Sequence, residues 1–198
     1  MISTSKKFIF IHYPKTGGNS IQDALRKFSD DDFVVLNHYQ DGVDRFQTKN
    51  SKFPLLEKHS KLSDYEGALR KNIFDFSIFI TLRNPFDRLI SFYFSPHRNK
   101  TTFERKDFSS FIDTVKPLEH FVKSKYNVNH KINFLKYETL NSDFQKMLVS
   151  LKIDKIELPH RNKSNVKKGS YKSYWDDELI AKVRNMHKLE LSLGGYDF

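Results

Sequence analysis

A short apolar run, Phe8-Ile9-Phe10-Ile11, passes through His12 and Tyr13 directly into Pro14-Lys15-Thr16-Gly17-Gly18-Asn19-Ser20. The segment Lys7–Tyr13 is rich in β-favouring residues and closed by Pro and Gly, so it reads as a buried strand. Beyond the glycines, Ile21, Ala24, Leu25 and Phe28 fall on one helical stripe, which predicts a helix over Ser20–Phe28. Strand, two-glycine loop and helix in immediate succession commit the chain to an α/β arrangement. They also put the loop at the carboxyl end of a strand, where open α/β sheets bind their ligands.

The rest of the chain repeats the alternation. Asp32–Leu36 reads as a second strand, and Asn37–Lys61 as mostly loop. Leu62–Lys71 reads as a short helix and Phe74–Leu82 as a buried strand. Pro85 opens a helix carrying Phe86, Leu89, Ile90, Tyr93 and Phe94. Proline suits that place because its missing N–H would lack an intrahelical partner anyway. Phe108–Lys125 is predicted helical with a break at Pro117. Ile132–Tyr137 reads as a third buried strand, Phe144–Leu151 as a helix, and Asp176–Leu191 as a closing helix. The expected fold is α/β: a single P-loop-like domain over residues 1–198, with a central, mainly parallel sheet flanked by helices.

The loop chemistry points to an anion. Gly17 and Gly18 allow a sharp turn and close backbone approach. The helix start offers unpaired N–H groups and the positive end of a dipole. Lys15 adds a full charge, and Thr16, Asn19 and Ser20 add hydrogen-bonding side chains. This is not the Walker arrangement G-x-x-x-x-G-K-[ST], because Lys15 precedes the glycines. The chain holds 34 Lys+Arg against 24 Asp+Glu, a net charge of +10, which also favours an anionic partner without naming it.

Composition removes several classes. There is no cysteine, so disulfides, thiolate nucleophiles and Cys-ligated zinc are excluded. No His or carboxylate pattern of a metal site occurs, and no metal is expected. An aromatic content of 15% argues against disorder. The apolar run near the N-terminus is too short for a signal peptide or a membrane span, so a cytoplasmic protein is expected.

The strand predicted over Phe74–Leu82 ends in Arg83-Asn84-Pro85-Phe86-Asp87-Arg88-Leu89-Ile90-Ser91. Arg83 leaves that strand where an anion site is expected. Arg88 and Ser91 are three apart and share one helix face, where a guanidinium and a hydroxyl could hold a phosphate. Taken together, Phe10–Ser20 and Arg83–Tyr93 resemble the two nucleotide signatures of sulfotransferases that use 3′-phosphoadenosine 5′-phosphosulfate (PAPS). The likeness is greatest to the carbohydrate-type branch, which acts on heparan- and chondroitin-like glycans. The resemblance implies that Lys15, Thr16, Gly17, Gly18, Asn19 and Ser20 cradle the 5′-phosphosulfate, that Arg83 and Ser91 bind the 3′-phosphate, and that Arg88 is a supporting charge. It extends more weakly to Phe134–Leu140, Leu158–Ser164 and the tail Tyr171–Phe198. Asn19 stands where the family usually has Thr.

Transfer to a hydroxyl needs a base, and histidine titrates near working pH. His59, in Glu57-Lys58-His59-Ser60, resembles the family segment that supplies this base. His38, directly after the second predicted strand, is the second candidate, and Glu57 the alternative. His12, alternating with core residues, reads as a packing histidine. Lys15 suits the developing charge on the leaving phosphate. Lys167, Lys168 and Gly169 form a basic-Gly segment like one that covers the 3′-phosphate in cytosolic relatives, and equally like a solvated charged loop. The expected activity is sulfuryl transfer from PAPS, leaving 3′,5′-ADP, to a hydroxyl acceptor, with a saccharide favoured. An acidic saccharide would use the remaining positive charge, including Lys58, Lys61, Arg98, Lys100, Arg105 and Lys106. Two other readings stay open: an NTP-binding, kinase-like enzyme using the same cradle, and a basic nucleic-acid-binding module.

Overall fold

The computed structural model describes residues 1–40, 43–95, 98, 100–159 and 171–198, and the side chains of these apart from 37–40 and 43–45. Its central sheet has four strands: β1 (Ile2–Ser3), β2 (Phe8–Ile11), β5 (Ser77–Leu82) and β6 (Ile132–Lys136), in the order β1-β2-β5-β6. The pairs β2/β5 and β5/β6 are parallel, and the edge strand β1 is antiparallel to β2. The α/β reading with a mainly parallel sheet therefore holds.

β2 is buried on both faces, as parallel strands are. Ile9 and Ile11 face a cluster with α2 (Leu62–Leu69) and α5 (Leu118–Val122). Phe8 and Phe10 face the opposite cluster with α1 (Gly18–Leu25) and α6 (Leu140–Ser150). A one-residue slip would exchange phenylalanines for isoleucines across two packed faces. Overpacking of that kind costs about 1–3 kcal/mol per site, so the register is firmly set. A third cluster joins α3 (Pro85–Tyr93), α4 (Arg105–Thr114) and α7 (Asp177–Met186), with Trp175 and Phe198 packed against it.

The sequence reading needs correcting in four places. Asp32–Leu36 is not part of the central sheet. It begins β3 (Asp32–Gln40), which pairs antiparallel with β4 (Val43–Lys49) in a separate two-stranded sheet. Much of the expected loop Asn37–Lys61 is thus strand. Its polar residues hide it from a search for apolar runs, although Asp41-Gly42 is a hairpin signal. The strand β1 is too short to show any pattern. The expected closing helix is two helices, α7 and α8 (Lys188–Gly194), separated at His187 (φ −118°, ψ 36°). The breaks at Pro85 and Pro117 fall as read: Pro85 opens α3 behind an Asn84 cap that accepts from the Phe86 amide, and Pro117 precedes α5.

Candidate active site

β2 and β5 lie side by side with their carboxyl ends together, and the two sequence signatures meet there. After β2 the chain turns through left-handed conformations at Lys15 (φ 66°) and Gly17 (φ 86°). Gly17 is needed for space as well as for φ: an added Cβ would lie 2.8 Å from Leu140 Cδ2 and 3.2 Å from Tyr137 Cδ2. At Gly18 an added Cβ would lie 2.6 Å from His12 Cδ2. Gly17 precedes helix α1 without a side-chain cap; the Ser20 N–H turns back to the Gly17 carbonyl at 3.1 Å, and the N–H groups of Gly18 and Asn19 lead the open end of the helix.

The side chains of the loop divide by direction. Thr16 is fully buried; its hydroxyl bonds the Tyr13 carbonyl at 2.6 Å and pairs with Thr81 on β5. Its contribution to an anion is therefore limited to its backbone N–H. Asn19 Oδ1 is buried without a hydrogen-bond partner among the described residues. An amide turned by half a rotation would present its NH2 group instead. Lys15 is half-buried, and Ser20 is buried at the start of α1.

Arg83 leaves β5 beside this loop. Its Nη1 donates to the Lys15 carbonyl at 2.9 Å, while Nε and Nη2 reach Asp87 at 2.8 and 2.6 Å. Its guanidinium stacks 4.2 Å from the centre of the Tyr137 ring. Tyr137 thus supports both Arg83 and the turn at Gly17, a role the sequence did not announce. Glu138 braces the same corner: it accepts from the Asn84 amide at 3.1 Å and from the Tyr196 hydroxyl at 2.7 Å. Ser91 is half-buried on α3. Arg88, on the same helix, is fully buried instead, 4.2 Å from the Tyr13 ring centre.

His59 stands next to His12, their ring centres 4.7 Å apart. Its Nδ1 lies 3.2 Å from the His12 carbonyl oxygen. A carbonyl only accepts, so the Nδ1 proton points there and Nε2 carries the lone pair. His59 is exposed to solvent on one side, although neighbouring protein crowds its imidazole. That burial lowers the His59 pKa; the bond to the His12 carbonyl opposes the shift, and the Lys58 charge adds to it. The lowered pKa favours the neutral imidazole at pH 7. Lys58 is itself buried; its ammonium donates to the Phe46 carbonyl at 3.1 Å and sits 3.8 Å from the Phe46 ring centre. It anchors the His59 segment to β4.

His12 packs in the interior as read, but it does more than fill space. It lies under Gly18, its Nδ1 meets Gln22 Oε1 at 2.5 Å, and burial drives its pKa far down. The signal available in the sequence was its position, at the strand end immediately before the glycine loop. His38 lies within β3 rather than after a strand of the central sheet, which corrects the position read for it. Glu57 is exposed. Lys167, Lys168 and Gly169 lie outside the described residues. Of the charges read as facing an acceptor, several are paired within the chain besides Lys58. Lys100 is 2.9 Å and Arg98 3.9 Å from Asp107, and Arg105 bonds Asp176 at 2.5 Å and also Glu178. Among the described residues no three His, Asp or Glu side chains form a metal-binding group, and no helix is long and apolar enough to cross a membrane.

Fold and site together make this an α/β protein with a glycine loop and an open helix start at one strand end, Arg83 at the next, and the His59 imidazole against His12 beneath the loop. The sequence profile of the sulfotransferase family matches residues 1–197, and the chain belongs to that family. Among solved structures it is similar to mouse sulfotransferase SULT7A1 complexed with PAP. The match has 14% identity and a TM-score of 0.54, and covers 99% of this chain and 91% of the other. That likeness supports the fold. No curated protein sequence matches significantly.

Proposed function

We propose that the chain transfers a sulfuryl group from PAPS to a hydroxyl of a saccharide, with His59 as the general base. The observation that carries this reading is the placement of His59. Its proton-bearing Nδ1 is fixed on the His12 carbonyl, and His12 underlies Gly18 at the open end of α1. A base with its lone pair on Nε2 thus stands one ring away from an anion cradle.

The residues present fit PAPS. The uncapped helix start, the crowded Gly17 and Gly18, and Asn19, whose amide once flipped would present NH2 where Oδ1 has no partner among the described residues, suit a tetrahedral anionic group. Arg83 and Ser91 suit the 3′-phosphate. The donor supplies an activated sulfuryl group, and the chain's residues do the rest. His59 Nε2 takes the proton of the acceptor hydroxyl as its oxygen bonds to sulfur. Lys15 and the α1 N–H groups offset the negative charge left on the departing phosphate oxygen. The saccharide preference rests on the carbohydrate-type loop sequence. Internal pairing of Arg98, Lys100 and Arg105 weakens the charge argument for an acidic acceptor.

The test is transfer of label from 35S-PAPS by the purified chain to a panel of glycans, lipids and small alcohols. Labelled saccharide together with released PAP (3′,5′-ADP) is expected. Thermal stabilisation by ATP with Mg²⁺ but not by PAP, with no labelled product, would overturn the proposal in favour of a kinase-like enzyme.

A further inference from the structure

Behind the loop lies a buried polar cluster that the proposed chemistry does not use. Tyr13, Arg88, His187 and Glu190 are each 0% exposed. Glu190 Oε1 accepts from the Tyr13 hydroxyl at 2.6 Å, from His187 Nδ1 at 2.8 Å and from the Leu118 amide at 2.9 Å. The Arg88 Nη2 lies 3.9 Å from the same oxygen. Arg88 Nε, Nη1 and Nη2, His187 Nε2 and Glu190 Oε2 have no hydrogen-bond partner among the described residues.

As a stability device this is a poor arrangement. Buried charges with unfilled hydrogen-bonding capacity are commonly matched or bettered by apolar side chains of the same volume. Its placement suggests a different use. Tyr13 leads directly into Pro14-Lys15, so its hydroxyl fixes the base of the 5′ cradle. Arg88, on α3, falls in the sequence between Arg83 and Ser91, the two groups assigned to the 3′-phosphate. Glu190 comes from α8 and faces both. A carboxylate that holds the tyrosine and neutralises the arginine sets the distance between the two anion subsites.

We infer that Glu190 is a positioning residue of the donor site: through Tyr13 and Arg88 it sets the spacing of the 5′ and 3′ anion subsites. The inference rests on the PAPS reading. A ligand that engages both subsites gains from correct spacing, and one that engages a single subsite does not.

The experiment compares binding of PAP, which carries both phosphates, with binding of AMP, which lacks the 3′-phosphate. It uses the wild-type chain, Tyr13→Phe and Glu190→Gln. Tyr13→Phe keeps the ring against Arg88 and Phe121, so it remains informative should Glu190→Gln fail to fold. The expected result is PAP affinity about tenfold weaker in each folded variant, with AMP affinity changed less than about twofold. The double variant should lose little more than either single one, because both act through one contact. Parallel losses for PAP and AMP, or no loss for PAP, overturn the inference and leave the donor reading standing. A wild-type chain that binds PAP no better than AMP overturns the donor reading and the inference with it.

Discussion

The Nη1 of Arg83 donates to the carbonyl oxygen of Lys15 at 2.9 Å, joining residues 68 positions apart. Through this bond the end of β5 holds the left-handed turn that shapes the loop after β2. Arg83 also bonds Asp87 and stacks on Tyr137, so three neighbours fix one planar guanidinium.

Replacing Arg83 by Lys keeps the charge but not the fork, and one ammonium cannot serve the carbonyl, the carboxylate and the ring together. Arg83→Lys should weaken PAP binding by about tenfold or more, since lost charge-assisted bonds are each worth about 1.5–3 kcal/mol. Isothermal titration with PAP measures this. Unchanged affinity would separate Arg83 from the donor site.

His59→Ala should lower kcat by about 10² while leaving the PAP dissociation constant within about twofold. The pH dependence has a definite sign. Burial disfavours the imidazolium, so the His59 pKa is lowered and the neutral base persists at pH 7. The kcat/KM of the wild-type chain should therefore be flat near neutrality and fall on acidification, with a midpoint below the ordinary histidine value of 6.5. A midpoint above that value, or an acid limb that survives in His59→Ala, assigns the base elsewhere.

Gly18→Ala places a methyl group 2.6 Å from His12 Cδ2, and the His12 ring is held by Gln22. The strain should cost about 1–3 kcal/mol in chemical denaturation. Activity should fall by about 10²-fold if the His12 carbonyl moves by about 1 Å and carries His59 with it. Adding His12→Ala removes the obstruction, so the two changes together should cost less stability than their sum. Strict additivity would show that the contact is not strained.

Glu66 tests the fold away from the site. Its buried carboxylate, on α2, accepts from the Ser124 hydroxyl at 2.5 Å, the Lys125 amide at 2.6 Å and the Tyr126 amide at 3.1 Å. Glu66→Ala leaves two backbone N–H groups without a partner and should cost about 3 kcal/mol. Equilibrium unfolding in urea checks it, and a cost below about 1 kcal/mol would mean that water replaces the carboxylate.

The sequence by itself determined the α/β alternation, the glycine loop and Arg83 at two strand ends, and the place of His59 in a segment between them. These are local signals: an apolar run both of whose faces are buried, glycines where φ is positive or a side chain has no room, and proline at a helix start. Tertiary structure decided the rest. Whether Asp32–Gln40 joins the central sheet depends on pairing with a polar partner strand, which carries no apolar run to read. Whether Thr16 faces a ligand or the core depends on Thr81, a residue of another strand. That the His12 carbonyl holds the His59 ring, and that Arg88 turns to Glu190 and Tyr13 in the interior, depend on contacts between distant elements. Side-chain direction and partner are settled by packing across the sheet, and no pattern along one strand or helix encodes them.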